Sequence, residues 1–267
     1  MTPVVEGGRI PPVVDLTRAH DARVYDYLLG GSHNFAVDRA LANQAIAAMP
    51  QVREIALANR SFLRRVVRAC VRAGVRQFLD LGSGIPGSGN VHDVAQGIDP
   101  TCRVAYVDVD PVALAHGRLI LAGSQGVALV NADLLDPSSV LHHPEVREVL
   151  DFDQPIAVLL LLVLHLVPDG HDPDGVLAEY RAALPEGSML ALTHPTPDQG
   201  TEGFDEATRV FQERMTDIAV RGYDRFADFF TGFDLVEPGI TTVDRWRPEH
   251  DGAACVPMYG GLGVKRR

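Results

Sequence analysis

The rhythm of apolar and polar positions changes once along the chain, near Val75. Ahead of that point it is helical. Val24, Tyr25, Leu28 and Leu29 share a helical face, and Gly30-Gly31 supplies a stop. A loop from Ser32 to Phe35 leads into a second helix through Ala40, Ala47 and Met49, closed by Pro50. A third helix fits residues 51–73, with Ile55, Phe62, Val66, Val67 and Cys70 as its apolar stripe and Gly74 as its end. Arg60, Arg64, Arg65, Arg68 and Arg72 read as its solvated side. Residues 1–14 carry prolines and glycines without periodicity and read as a loosely packed arm.

Beyond Val75, short apolar runs alternate with helical segments. The pattern predicts strands at 76–81, 103–108, 127–131, 156–162 and 188–193, and helices near 90–97, 111–122, 138–150 and 173–183. Helices at about 203–220 and 223–230 follow, then a strand near 235–242. From Ala254 the chain predicts a returning edge strand whose start is blurred by Pro257. Such alternation builds crossover units, hence an α/β fold with a mostly parallel sheet flanked by helices. Sheets of this kind bind ligands beyond the carboxyl ends of their strands. The chain divides into a helical extension, residues 1–74, and a core, residues 75–267.

Composition narrows the field. The 267 residues are 46% apolar and 22% charged, as in an ordinary globular protein. The net charge of -11, from 24 basic and 35 acidic residues, argues against a general nucleic-acid surface. Cys70, Cys102 and Cys255 form no disulfide or ligand pattern, which suits a reducing, cytoplasmic setting. Pro11, Pro12 and nearby charges stand where the apolar segment of a secretory signal would lie. The longest apolar run, Ile156 to Leu164, is nine residues, against the roughly 20 that span a bilayer. No membrane association is expected. His142-His143 are adjacent and the other histidines are scattered, so a metal-free site is expected.

The densest chemistry lies in Phe78-Leu79-Asp80-Leu81-Gly82-Ser83-Gly84, a buried strand running into a glycine turn. Gly82, Gly84 and Gly87 match G-x-G-x-x-G literally, but Pro86 to Gly89 prolong the turn where a pyrophosphate-binding helix should already run. Asn90 is a better N-cap, and Asp80 suits a cationic ligand better than a phosphate. Asp108 ends the next strand, where a carboxylate can accept both hydroxyls of a ribose, whether from NAD or another nucleoside cofactor. Asp110-Pro111 then starts a helix. Asp133 follows the third strand, placed to accept from an adenine amino group, with Leu134 able to pack on the ring. Each acid alone is also an ordinary cap or turn residue; three after successive strands form a pattern.

These features resemble the class I S-adenosylmethionine-dependent methyltransferases. The closer similarity is to the S-adenosyl methyltransferase family of actinobacteria, formerly a domain of unknown function. It runs from about Asp15 to Lys265, carried by Arg23 to Gly31 with Asn34-Phe35, Phe78 to Gly84, and Gly89 to His92. Further marks are Val107 to Asp110, Ala132 to Leu134, Val163 to Asp169, Phe229-Phe230, Glu237 to Gly239 and Trp246 to Pro248. The resemblance implies a Rossmann-like, seven-stranded methyltransferase sheet with an N-terminal helical extension that covers the cofactor. It implies S-adenosyl-L-methionine, with Gly82, Ser83 and Gly84 under the methionine part and Asp80 at its amino group. Asp108 with Val109 would hold the ribose, and Asp133 with Leu134 the adenine. Asn90 follows on the same loop, and Gly31 belongs to the covering segment.

The acceptor side is less marked. His165, after the apolar strand, is the leading candidate to move a proton or position the acceptor, or else a histidine satisfied beside the core. His33 and Tyr25 either join the chemistry or order the covering segment. Asp169 and His194 are further candidates at the mouth of the sheet; Pro168-Asp169-Gly170 also reads as a turn. Phe229, Phe230, Phe233 and Trp246 read as core, or as an apolar acceptor wall. The expected partner is a small-molecule acceptor bearing O, N or carboxylate. Two alternatives stand beside it: a nonenzymatic module that binds S-adenosylmethionine or S-adenosylhomocysteine, and an NAD-dependent oxidoreductase.

Overall fold

The computed structural model describes residues 15, 17–87, 89–214, 218–249 and 255–266; the expected N-terminal arm lies outside them. Three helices come first: α1 (Asp21–Leu28), α2 (Ala36–Ala48) and α3 (Val52–Arg72). A buried ion pair, Arg23 to Asp38 at 3.2 Å, ties α1 to α2. Asp38 also accepts from the N–H groups of His20 (3.0 Å) and Phe35 (2.8 Å). Removing either charge would strand the other without solvent, so the pair fixes how the two helices sit.

Strand and helix then alternate through β1 (Gln77–Leu81), α4 (Val91–Gln96), β2 (Arg103–Asp108), α5 (Pro111–Ile120) and β3 (Val127–Asn131). Next come α6 (Pro137–Leu141), α7 (Pro144–Val149), β4 (Ile156–Leu161), α8 (Pro173–Ala183) and β5 (Met189–Pro195). The chain continues through α9 (Phe204–Arg214), α10 (Tyr223–Asp228), β6 (Phe233–Leu235), β7 (Thr241–Thr242) and β8 (Met258–Lys265).

The strands form one sheet in the order β3-β2-β1-β4-β5-β8-β6, and β7 also pairs with β8. β1 to β5 are joined in parallel, while β8 runs antiparallel to β5, β6 and β7. This is the expected α/β sheet. Both faces are covered, so successive residues of one strand enter different cores. Phe78, Ala157 and Leu159 pack with Phe62, Val66 and Trp246 on the α3 side. Leu79, Val158 and Leu160 pack with Leu177, Phe226 and Phe229 on the other. A third cluster joins Val24, Leu28, Leu41, Met49, Phe204 and Ala207, from α1, α2 and α9 above the sheet. The aromatics at 229, 230, 233 and 246 are buried core. The order of strands reverses at β1, between β2 and β4, which marks where such a sheet opens to a ligand.

Several boundaries differ from the sequence reading. The helix expected over 138–150 is two helices, because Pro144 opens α7 and His143 Nδ1 accepts from Glu145 N–H at 3.3 Å. Of the helix expected over 203–220, Phe204–Arg214 is helical and residues 218–220 are not; Ala219 donates its N–H to the His165 carbonyl at 2.8 Å. Pro238 and Gly239 divide the strand expected over 235–242 into β6 and β7. The last strand is not an edge: β8 lies between β5 and β6, and Pro257 just precedes it. The α3 arginines are not all solvated. Arg65 donates to the Trp246 (2.7 Å) and Val243 carbonyls, and Arg60 reaches Asn90. No described helix is long and apolar enough to cross a membrane.

β8 can enter the sheet between bulky neighbours because glycines leave room for aromatic rings. A Cβ on Gly260 would stand 2.9 Å from both Phe62 and Val243. Gly260→Ala should therefore cost about 1–3 kcal/mol through overpacking, read from urea denaturation. A midpoint at the wild-type value would show that β8 is not packed this tightly.

Candidate active site

A cavity of about 390 Å³ opens at the carboxyl ends of β1, β2 and β4, roofed by α1, α3 and α9. Its floor is the glycine turn. Gly82 (φ 70°) and Gly84 (φ 65°) both hold left-handed backbone, and a Cβ on Gly82 would meet Val163 at 2.7 Å. The N–H groups of Gly82 and Ser83 bond the Val107 carbonyl at 2.8 and 3.1 Å. Gly84 N–H bonds Asp108 at 2.6 Å, and Asp108 also accepts from Asp110 N–H at 2.8 Å. One buried carboxylate thus holds the turn against the end of β2. Asn90 caps α4, with Asp93 accepting from its N–H at 3.0 Å, and Asp110 caps α5 at Val112 N–H, 2.6 Å. Both caps stand where the sequence predicts them.

The cavity is acidic. Asp21, Asp80, Asp108 and Asp133 line it. Burial raises the Asp80 carboxyl to about 7, against the pull of Arg60 and aided by Asp108. Among the described residues no group donates a hydrogen bond to it. Burial likewise lifts Asp21 to about 6, opposed by His20. Burial raises Asp108 too, partly offset by the N–H groups of Asp110 and Gly84. Asp133 is exposed at the rim and accepts from Leu135 N–H at 2.9 Å. His20 Nδ1 lies 2.7 Å from Asp110 and fastens the start of α1 to the end of β2. Burial alone would lower His20; the Asp110 hydrogen bond and charge outweigh it and raise it.

On the roof, four hydrogen bonds run in one direction. Leu162 N–H donates to Thr193 Oγ1 (2.7 Å), whose hydroxyl donates to Asn59 Oδ1 (2.8 Å). Asn59 Nδ2 donates to Tyr25 Oη (3.0 Å), which donates to the Ala56 carbonyl (3.2 Å). Tyr25 lines the cavity with its hydroxyl proton already committed, and burial raises that group. Tyr25 therefore orders the roof.

His165 also lines the cavity. Burial, then the His194 ring and the Arg221 guanidinium, hold it at about 3, a neutral imidazole whose Nδ1 has no partner among the described residues. His194 is buried behind it and held at about 4, first by burial. Its Nδ1 bonds the Pro195 carbonyl at 2.7 Å and its Nε2 accepts from Arg221 at 3.0 Å. Buried Arg221 also donates to the carbonyls of Leu164 (2.9 Å) and Val167 (2.7 Å) and to Asp169 (2.8 Å). It clamps the loop that presents His165, and Asp169 serves that clamp.

Of the residues expected from sequence, Tyr25, Asp80, Gly82, Ser83, Gly84, Asp108, Val109, Asp133, Leu134 and His165 meet on this cavity. Gly31, His33 and Asn90 lie outside its lining. Gly31 is pressed against Asp26, where a Cβ would fall 2.0 Å from a carboxylate oxygen. His33 N–H bonds Asp26 at 2.8 Å and its ring lies 4.1 Å from that of His116. Asn90 faces Gly87 N–H (3.1 Å) and Arg60. Sequence reasoning missed Asp21, Arg60 and Arg221. It also missed Asn59, although a polar residue inside the apolar stripe of α3 is a visible signal. No group of three or more His, Cys, Asp or Glu among the described residues is placed to hold a metal ion.

Comparison with known proteins gives a concordant result. A family model described as S-adenosyl methyltransferase matches residues 8–266. The crystal structure of a presumed methyltransferase from Thermobifida fusca is 40% identical, with a TM-score of 0.90 over 96% of this chain and 98% of that one. That of a DUF574 family protein from Streptomyces avermitilis is 36% identical, with a TM-score of 0.91 over 94% and 99%. Human N-acetylserotonin methyltransferase in complex with S-adenosylmethionine shares the fold at 14% identity and a TM-score of 0.51, over 94% of this chain and 63% of that one. No curated protein matches.

Two outcomes follow from the site's geometry. Asn59→Leu removes the acceptor of the Thr193 hydroxyl proton and the donor to Tyr25 Oη, while Tyr25 keeps its bond to Ala56; the unsatisfied Thr193 hydroxyl should cost about 1–3 kcal/mol, read from chemical denaturation. The second concerns pH. With Asp80 at about 7 in the folded state and near ~3.9 unfolded, the folded protein retains a proton that the unfolded chain has released. Asp80 therefore costs the ligand-free protein stability as pH rises through that window. Asp21 acts with the same sign, whereas His165 and His194 cost stability as pH falls. The difference between Asp80→Asn and wild type isolates Asp80: the advantage of Asn should grow from pH 5 to pH 8. An equal difference at both pH values would count against this assignment.

Proposed function

This chain belongs to the S-adenosyl methyltransferase family, and we propose that it methylates a small, largely apolar acceptor held beneath α1 and α9. It is an S-adenosylmethionine-dependent methyltransferase. The observation that carries the finer reading is the two-sided cavity. Asp80, Asp108 and Asp133 converge with the Gly82-Ser83-Gly84 turn on one side, while Leu28, Val52, Ile55, Phe204, Ala207 and Phe211 supply an apolar wall on the other. An apolar pocket with a few orienting polar groups suits a small molecule.

The residues fit the cofactor. Asp80, buried and without a hydrogen-bond donor among the described residues, would accept from the amino group. Asp108 would accept from the ribose hydroxyls with the lone pairs that Gly84 and Asp110 leave free. Asp133 would accept from the adenine amino group, with Leu134 and Val109 against the ring. The left-handed glycines let the chain approach without a Cβ between. S-adenosylmethionine, when bound, supplies a methyl group on a positively charged sulfur that departs as a neutral thioether. The protein's part is alignment, since holding donor and acceptor in line supplies much of the barrier reduction. His165, neutral and near 3, is a poor proton store at neutral pH and better suited to orient the acceptor by a hydrogen bond. The helical extension, through α1 and α2 with α9, would cover the bound ligands. An apolar wall of this extent favours transfer over a binding-only module, and the acid at Asp80 favours an aminoacyl cofactor over NAD.

A structure with S-adenosylhomocysteine should place Asp108 at the ribose and Asp133 at the adenine edge; contact with neither would reject the site map. Asp133→Ala should weaken S-adenosylhomocysteine binding on the order of tenfold or more in calorimetry, with folding intact because the side chain is exposed. Asp108→Ala is a poorer probe, since it also strands two backbone N–H groups. Ala207→Trp, filling the apolar wall, should abolish transfer of tritiated methyl groups into the small-molecule fraction of bacterial extracts while S-adenosylhomocysteine affinity stays within about threefold. Undiminished transfer by that variant would place the acceptor elsewhere.

A further inference from the structure

We propose that Arg60 binds the α-carboxylate of the cofactor's amino-acid end and makes that carboxylate a condition of tight binding. This rests on the reading above, in which Asp80 receives the amino group. The cavity's charge pattern leads to Arg60. Four carboxylates line it, and Arg60 is the only lysine or arginine along it among the described residues. A negatively charged group entering such a cavity is drawn toward that guanidinium and away from the carboxylates.

The local geometry points the same way. Arg60 projects from α3 next to Asn59, whose side chain the roof's hydrogen bonds hold fixed. A guanidinium carries five N–H donors, and Arg60 makes one hydrogen bond among the described residues, to Asn90. Asn90 itself is anchored by Gly87 N–H at 3.1 Å. That contact holds the guanidinium beside the glycine loop while most of its donors have no partner among the described residues. A Cβ on Gly87 would lie 4.0 Å from Arg60 Nη2, with no nearer contact from the described residues.

Asp80 completes the pattern. It is buried, feels the charge of Arg60, and forms no ion pair with it among the described residues. An acid and a base that face one cavity without touching are complementary to a zwitterion, with ammonium toward the acid and carboxylate toward the base. Planar paired donors are suited to a carboxylate, which they can bind through two hydrogen bonds. Arg60 would thus be a specificity-determining residue, separating amino-acid-bearing nucleosides from their decarboxylated forms.

The test is calorimetry with two ligands that differ only in that group: S-adenosylhomocysteine and its decarboxylated counterpart, S-adenosyl-3-thiopropylamine. Wild type should prefer S-adenosylhomocysteine on the order of 10- to 100-fold. In Arg60→Met the preference should collapse toward unity, chiefly by loss of S-adenosylhomocysteine affinity. Arg60→Lys, which keeps the charge and loses the paired donors, should fall between. Mere disturbance of the loop would weaken both ligands together and preserve the ratio, which overturns the proposal. Equal binding of the two ligands by wild type overturns it without any variant. Failure of wild type to bind S-adenosylhomocysteine at all would instead retire the cofactor reading beneath it.

Discussion

The hydrogen-bond chain from Leu162 to Ala56 is the constraint on which the site's shape depends. It begins at a backbone N–H, which can only donate, and ends at a carbonyl, which can only accept. Every proton between has one place to be. Leu162 sits just past β4 with φ 59°, a left-handed conformation that costs a branched residue roughly 1–3 kcal/mol unless its surroundings hold it. Thr193 holds it from β5, Asn59 relays the hold to α3, and Tyr25 carries it to α1. The sheet, the long helix and the roof therefore keep one relative position. Tyr25 and Asn59 occupy the wall as structural polar groups, whereas Ser83 Oγ and His165 Nδ1 line the cavity without a partner among the described residues.

Around that frame the protein concentrates negative charge where water is scarce. Carboxylates at Asp21, Asp80 and Asp108 are all raised by burial, a cost that the ligand-free fold bears at the proposed cofactor site. The charges with structural duties are instead paired on the spot: Arg23 with Asp38, Asp110 with the His20 ring, Arg221 with Asp169 and three backbone or ring acceptors. The uncompensated acids mark the site and the compensated ones its scaffold. His165 and His194 are held neutral chiefly by burial, with Arg221 beside them acting in the same direction.

Much of this was legible in the sequence because strand ends are local features. A run of apolar residues, an acid and a glycine turn stand within a few positions of one another, so Asp80, Asp108 and Asp133 could be placed before any contact was known. The caps at Asn90 and Asp110 were equally local. Boundaries failed where a proline cut a helical pattern, as at Pro144, or where tertiary contacts took over, as at Ala219. Arg60 was read as solvated because periodicity shows which face a residue occupies and not what arrives there; the loop carrying Asn90 arrives from 30 positions along the chain. Arg221 lay hidden for the same reason, its partners spread over residues 164–194.

The insertion of β8 has its own consequence for how the molecule comes to be. β6 precedes β8 in the chain, yet β8 is its neighbour in the sheet, so β6 has nothing to join until β8 has docked on β5. Completion of the sheet therefore waits on contacts between distant parts of the chain, the slow kind in folding. Met258, the first residue of β8, is also part of the cavity wall. A chain with β1 to β5 in place already has its strand-end acids but lacks one side of the enclosure. The pocket wall and the far side of the sheet therefore depend on the same strand, β8.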